Sequence, residues 1–267
     1  ANPFFAMDTG IKDGKHRTPQ SQARMVKELG YAGISYTPPG IPAMLKELDK
    51  HNLKMFAVYV GQSIDQGTCS QRLKDTIKQL KGRDTIIWLY VTSKKHKVSS
   101  PTGDDQAVKV LREVADLAAA SNLRVALYPH AGFWVERVED AVRVARKVAR
   151  KNLGATFNLC HWLHVAGDKN DDKSMRSLLK PAMPHLFLVS INGADRGGKG
   201  WKQLIQTLDR GTFDVAALLK ALKEMGYTGP IGLQHYGIGG DAQENLKRSI
   251  DAWRKLASAG AARKKGD

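Results

Sequence analysis

Residues 211–234, which read GTFDVAALLKALKEMGYTGPIGLQ, contain one complete helix-to-strand unit. The pattern predicts a helix over 214–225 that ends at Gly226, because glycine commonly follows the last turn of a helix. The short apolar run after it predicts a strand over 231–235. Only a few residues connect the two elements, and units of the same kind recur along the rest of the chain.

Working outward from this unit, the chain alternates between short apolar runs and longer helical patterns. Strands are predicted over 4–8, 33–37, 54–60, 86–91, 124–128, 155–159 and 187–191, ahead of 231–235. Helices are predicted over 19–29, 42–51, 70–80, 104–120, 135–151, 173–179, 214–225 and 242–256. Eight strands alternating with eight helices favour an α/β fold, a single (β/α)8 TIM barrel, over an open doubly wound sheet. No GxGxxG or GxxxxGK[ST] motif indicates a dinucleotide or P-loop site.

The composition is that of one globular domain. A chain of 267 residues that is 42% hydrophobic can bury one large core, and we expect residues 1–258 to form it. Residues 259–267 are predicted to be a basic, disordered tail. No run of about 18 apolar residues occurs, so we expect a soluble protein without membrane insertion. Both a cytoplasmic location and export followed by removal of a signal remain open, as does assembly into a homo-oligomer.

The net charge of +16 raises the question of nucleic acid as a partner. The basic residues are spread along the chain, and those within 135–151 lie on the polar side of an amphipathic helix. No RRM, KH, zinc-finger or helix-turn-helix signature is present. Nucleic acid is therefore not the partner that the sequence predicts.

In a (β/α)8 barrel the active site lies at the carboxyl ends of the strands and in the loops that follow them. This rule selects the polar candidates, which are Asp8, Tyr128, His130, Asn158, His161, Ser190, Asn192, Arg196, Gln234 and His235. Three tryptophans also fall just beyond predicted strand ends, Trp134, Trp162 and Trp201. Because aromatic faces stack on the C–H faces of sugar rings, these three are candidate sugar platforms.

Two passages carry a resemblance to a known family. Residues 27–35 read KELGYAGIS, and residues 211–234 show a Gly-x-x-Asp helix followed by Gly-Tyr-x-Gly and a strand. Both resemble the sugar phosphate isomerase/epimerase group of the xylose isomerase-like TIM barrels. The resemblance covers nearly the whole chain and implies a small-molecule carbohydrate as the ligand.

In metal-dependent members of this group, Glu, Asp, His and Glu at the ends of strands five to eight hold a divalent ion. The resemblance places these ligands on Tyr128, Asn158, Ser190 and Gln234. Mn²⁺ and Mg²⁺ prefer anionic oxygen or imidazole ligands, whereas all four residues here are neutral. We therefore expect a degenerate metal site and no metal cofactor.

Two further positions are similar to those of the family. The family's Asp-x-x-His reads Asn158-Leu159-Cys160-His161 here, and Arg196 follows Ser190 by six residues. From the resemblance and from their places at strand ends, we assign His161, His130 and Tyr128 as candidate catalytic groups. On the same grounds the candidate substrate-binding residues are Asn158, Ser190, Asn192, Arg196, Gln234, His235, Trp162 and Asp8. A glycine-rich loop around Arg196 would suit an anionic sugar.

Several alternatives remain open. The barrel could transform a carbohydrate without a metal, or it could be a non-catalytic sugar-binding protein. A nucleic-acid-processing barrel related to AP endonucleases is the alternative from another class. A surrogate metal site built from His130, His161, His164 and His235 competes with the interpretation that these histidines are scattered around the rim.

Overall fold

The computed structural model describes residues 2–262, with side chains for residues 2–258. Eight parallel strands form one closed barrel in chain order, and the last strand pairs with the first. The strands are β1 (Phe4–Ala6), β2 (Gly33–Tyr36), β3 (Lys54–Ser63), β4 (Ile86–Thr92), β5 (Arg124–Leu127), β6 (Leu153–Asn158), β7 (Leu186–Ile191) and β8 (Ile231–Leu233). The prediction of a single (β/α)8 barrel is confirmed.

The helices pack around the barrel. They are α1 (Pro19–Leu29), α2 (Ile41–Lys50), α3 (Gln71–Gln79), α4 (Asp104–Ala120), α5 (Val138–Val148), α6 (Leu159–Ala166), α7 (Asp172–Ala182), α8 (Trp201–Leu204), α9 (Val215–Glu224) and α10 (Ala242–Ala262). The short helices α6 and α8 are additions to the predicted eight. Helix α10 continues into the segment predicted as a tail, and residues 263–267 lie outside the described part. None of the described helices is both long and apolar enough to span a bilayer.

The start of the 211–234 unit is fixed by local geometry. Gly211 has a φ of +93°, and a Cβ at this position would lie 2.1 Å from the Ala194 carbonyl oxygen. The close approach therefore requires glycine. Asp214 then caps α9, because its carboxylate accepts the Ala217 N–H at 2.9 Å.

The end of the 211–234 unit leads from α9 into strand β8 of the barrel. Gly226 adopts a left-handed conformation after α9, as predicted for a helix stop. The Tyr227 hydroxyl donates to the Pro230 carbonyl at 2.8 Å and holds the turn. Strand β8 then pairs with both β7 and β1, which closes the sheet.

The barrel interior is filled by side chains, among which Trp88 is the largest. Trp88 is fully buried, and its indole N–H donates to Thr156 Oγ1 at 2.9 Å. The ring lies edge-on to Tyr128, with 4.7 Å between centroids. Trp88 therefore closes the barrel beneath its carboxyl-terminal mouth, and Tyr128 forms the next layer toward that mouth.

Candidate functional site

Four of the predicted residues lie together at the ends of adjacent strands. Tyr128 directly follows β5, Asn158 ends β6, and Gln234 directly follows β8. Asn158 is the register partner of Ser190 in β7. The Gln234 amide donates to Tyr128 Oη at 3.4 Å, across the mouth of the barrel. The structure thus brings together the positions that the resemblance aligned with a ligand set.

Several polar atoms in this region are buried and lack a protein partner. They are Asn158 Nδ2, Ser190 Oγ, Asn192 Oδ1 and both ring nitrogens of His235. A buried donor or acceptor without a partner costs about 1–3 kcal/mol. Buried polar groups in folded proteins are nearly always satisfied, and ordered water or a bound ligand can supply the partners that the protein does not.

One wall of the mouth consists of histidine and aromatic rings. Helix α6 presents His161 and His164 on the same face, and both rings contact Trp201 from α8, with centroid distances of 5.2 and 4.8 Å. His161 also lies 4.1 Å from the His130 ring and 5.6 Å from Tyr128. Trp201 is 38% exposed, so part of this wall is open to solvent.

Burial favours the uncharged form of the His161 and His130 imidazoles. It lowers the pKa of His161 to about 2, with the nearby His130 and His164 acting in the same direction. Burial also lowers the pKa of His130. The Ala131 N–H donates to His161 Nδ1 at 3.3 Å, so the neutral ring carries its proton on Nε2. Near neutral pH, His161 is therefore a hydrogen-bond donor through Nε2 and a weak base.

Tyr128 is likewise held in its neutral form. It is buried among Trp88 and Tyr59, and burial raises its pKa well above the usual range. A neutral phenol can donate a hydrogen bond to a ligand oxygen but is a poor source of a free proton. Tyr59 continues the aromatic floor toward Tyr90, with 4.7 Å between ring centroids.

The opposite wall carries a buried carboxyl group. Asp8 is 6% exposed and accepts a hydrogen bond from Thr37 Oγ1 at 3.2 Å. Burial raises the pKa of Asp8, and the charge of Lys12 opposes that effect only in part. His235, which lies against Gly10, is 1% exposed, and burial lowers its pKa to about 4.

Arg196 contacts the chain around the start of α7. Its guanidinium donates to the Asn170 carbonyl at 2.7 Å and to the Asp172 carboxylate at 3.0 Å. It also lies 5.2 Å from the centroid of the Phe213 ring. These contacts tie Arg196 to the start of α7, because a carboxylate and an aromatic face both attract the cation. Arg196 would have to break these contacts in order to bind a substrate.

Two of the three candidate tryptophan platforms are packed inside the protein and do not face the mouth. Trp162 packs against Phe157 and Phe213 in the hydrophobic layer and is 8% exposed. Trp134 is fully buried, and its indole N–H donates to the Ser100 carbonyl at 3.2 Å. Neighbouring helices and loops cover both rings, so we assign them a structural role. Trp201 is the platform that remains.

Sequence reasoning missed some residues of the site. Phe133 stacks on His130 with 4.0 Å between centroids, and Thr37 holds the Asp8 carboxyl group. Asn192 was selected correctly as a strand-end residue, but its amide donates to the Gly193 and Leu204 carbonyls and anchors the loop after β7. The sequence did offer one signal for Phe133, namely its place in the loop between a predicted strand and a predicted helix.

The structure thus combines a closed (β/α)8 barrel with polar and aromatic side chains at the strand ends. The chain belongs to the xylose isomerase-like TIM barrel family, whose model matches residues 23–256. No curated protein matches the sequence.

Three solved structures illustrate the shared fold. D-allulose 3-epimerase from Methylomonas sp., in complex with D-allulose, is 14% identical with a TM-score of 0.75, over 96% of this chain and 97% of that one. The IOLI protein, with a bound zinc atom, is 16% identical with a TM-score of 0.74, over 97% and 99%. AP endonuclease family 2 from Brucella melitensis is 18% identical with a TM-score of 0.71, over 92% and 97%. At these identities the likeness concerns the fold alone.

The residues that the resemblance aligns with the family's ligands offer weak donors for a divalent cation. The donors offered by Tyr128, Asn158, Ser190 and Gln234 are a phenol, two amides and a hydroxyl, which offset little of an ion's dehydration. Within residues 2–262, no group of three or more His, Cys, Asp or Glu could hold a metal. The four-histidine surrogate site that the sequence left open is therefore not formed there.

Proposed function

We propose that this barrel binds a carbohydrate at its carboxyl-terminal mouth and that it does so without a divalent metal. The observation that carries the proposal is the set of buried, unpartnered polar atoms on Asn158, Ser190 and His235 beside the partly exposed ring of Trp201. Ligand sites typically combine apolar walls with a few converging polar groups, and this mouth has both.

The chemistry of the polar atoms suits sugar hydroxyls. A hydroxyl group both donates and accepts, so it can satisfy the Asn158 amide N–H, the Ser190 hydroxyl or either nitrogen of a neutral His235. All of these atoms belong to uncharged groups, so an ionic ligand is not required. The site therefore supports a polyol better than it supports a metal-bound substrate.

The residues with predicted catalytic roles can act as neutral donors. His161 offers Nε2–H, and Tyr128 offers its hydroxyl, on the same side of the mouth. Neutral donors directed at a carbonyl oxygen stabilise the negative charge that develops there when a neighbouring C–H bond breaks. We assign His161 and Tyr128 this role. We assign His130, whose ring centroid lies 4.1 Å from that of His161, as a positioning residue.

Trp201→Ala is expected to weaken sugar binding by about 10-fold or more, because aromatic anchors at binding sites commonly contribute about 2 kcal/mol. The fold should be unaffected, since the ring is partly exposed and belongs to the four-residue helix α8. Isothermal titration with a panel of free pentoses and hexoses, including D-allulose, measures the change in Kd.

Leu117→Ala is the matched control, because Leu117 is a similarly exposed apolar residue on α4, away from the mouth. It should leave every Kd unchanged. If Trp201→Ala binds each sugar as tightly as the unmodified protein, the platform assignment is wrong.

A non-catalytic sugar-binding protein and a nucleic-acid-processing barrel are the competing functions. A non-catalytic sugar-binding protein would bind the same ligand as an enzyme but would not convert it chemically. The second is supported by the net charge and by the fold shared with an AP endonuclease. Tight DNA binding that falls steeply with salt, in the absence of sugar binding, would favour it over our proposal.

A further inference from the structure

The wall formed by β8, β1 and β2 has a feature that sugar binding alone does not explain, namely a buried carboxyl group. Among the described residues, the other buried carboxylates are Asp104 and Asp140, and both bind Arg143 between α4 and α5. Asp8 has no such ion pair at hydrogen-bonding distance, and its side-chain partner is the neutral hydroxyl of Thr37. Burying a carboxyl group without a paired cation is costly, so the position calls for a functional reason.

His235 follows the neighbouring strand β8 and lies against the turn that Asp8 begins. Strands β1 and β8 pair Ala6 with Leu233, and the chain then forms a 3-10 turn over Asp8–Gly10. The Met7 N–H still donates to the Leu233 carbonyl at 3.1 Å, so the pairing extends past the strands. Gly10 lies against the His235 ring, where a Cβ would come within 2.6 Å of it. The segment 8–10 therefore covers the imidazole.

We propose, resting on the carbohydrate-binding function above, that Asp8 is the general base for proton transfer on the bound sugar and that His235 is the neutral donor beside it. Tyr128 and Gln234 carry a phenol and an amide, and neither can accept a proton at neutral pH. Asp8 is the buried carboxyl group at these strand ends, and no cation lies within hydrogen-bonding distance of it among the described residues. It begins the turn that packs against the unpartnered imidazole of His235.

The step balances without a metal or a redox partner. The Asp8 carboxylate takes the proton from the carbon next to the sugar carbonyl, and the C–H electron pair forms a C=C bond. The carbonyl π pair moves onto its oxygen, which receives a hydrogen bond from the His235 N–H, and the intermediate is an enediolate. The carboxylic acid then returns the proton to the carbon from which it came, as the electron pair on the oxygen forms the carbonyl again. A carboxylate base beside a neutral imidazole is an established arrangement for this reaction.

Deuterium exchange tests the assignment. In D₂O, wild-type protein should exchange the hydrogen next to the carbonyl of a bound free ketose, measured by proton NMR. Asp8→Asn should slow the exchange by about 100-fold or more, the usual contribution of a general base. Asp8→Glu should restore part of the rate. Asp168→Asn, an exposed carboxylate on the same side of the barrel, should leave it unchanged.

Stability separates a catalytic from a structural role. Because burial raises the pKa of Asp8, its ionised form destabilises the fold at pH 7, so Asp8→Asn should have an equal or higher Tm. A lower Tm would indicate a structural carboxylate and overturn the assignment.

The outcomes also separate this inference from the proposed function. Sugar binding without exchange, or exchange that survives Asp8→Asn, overturns the role of Asp8 and leaves the binding function intact. If no sugar in the panel binds, the proposed function fails, and the Asp8 assignment fails with it.

Discussion

Replacing Tyr128, Asn158, Ser190 and Gln234 together by Glu, Asp, His and Glu is expected to give the barrel measurable Mn²⁺ affinity where the natural chain has none. The four positions lie at adjacent strand ends, and Gln234 already reaches Tyr128 at 3.4 Å. Three carboxylates and an imidazole supply the anionic and nitrogen ligands that such an ion requires. Titration with Mn²⁺, followed by electron paramagnetic resonance, measures the affinity.

A triple variant that keeps Asn158 is the matched control and should bind Mn²⁺ much more weakly, because one anionic ligand is missing. Circular dichroism establishes that each variant is folded, since Tyr128→Glu shortens a buried side chain. A folded quadruple variant without Mn²⁺ affinity would show that the four strand ends have been matched wrongly to the family's ligand positions.

Trp88→Ala is expected to lower the free energy of unfolding by about 4 kcal/mol, which is typical of a large buried aromatic residue. Trp88 is fully buried and contacts Tyr128 and Tyr59, so its removal leaves a cavity beneath the mouth. It also deprives Thr156 Oγ1 of the indole donor at 2.9 Å. Urea denaturation monitored by circular dichroism measures the loss.

Two comparisons sharpen this result. Trp88→Phe keeps most of the apolar volume but loses the indole N–H, so it should cost less than Trp88→Ala. Trp201→Ala removes a tryptophan that is 38% exposed and should cost no more than about 1 kcal/mol. Equal losses for Trp88→Ala and Trp201→Ala would mean that the barrel interior is not the principal core.

The fold was accessible from sequence because its signals are local and repeated. Asp214 and Gly226 bound a helix through their own chemistry, and both act in the structure as the sequence predicts. Where elements repeat eight times, an error of one or two residues at a boundary does not change the topology. Thus β6 ends at Asn158, one residue earlier than predicted, and the barrel is unaffected.

The site was only partly accessible, because side-chain direction depends on contacts that are distant in sequence. Arg196 and Trp162 follow strands whose ends form the mouth. In the structure, however, Arg196 binds the Asp172 carboxylate. Trp162 packs against Phe157 and Phe213. The pairing of His161 with Trp201 required two short helices, α6 and α8, which apolar periodicity does not predict.

The burial of Asp8 is a further case. The sequence places this residue at a strand end but does not reveal that its carboxyl group is buried and bound to Thr37. Only the structure shows that Gly10, in the same turn as Asp8, lies against the His235 ring. One of several strand-end candidates in the sequence thus becomes the candidate base.

Sugar titration before and after removal of metal tests the account most directly. Protein dialysed against a strong chelator is titrated calorimetrically with the sugar that binds best, first alone and then after one equivalent of Mn²⁺ or Zn²⁺. We predict the same Kd in every case, because neutral side chains and not an ion make the contacts. Binding that disappears on chelation and returns with the metal would contradict the account.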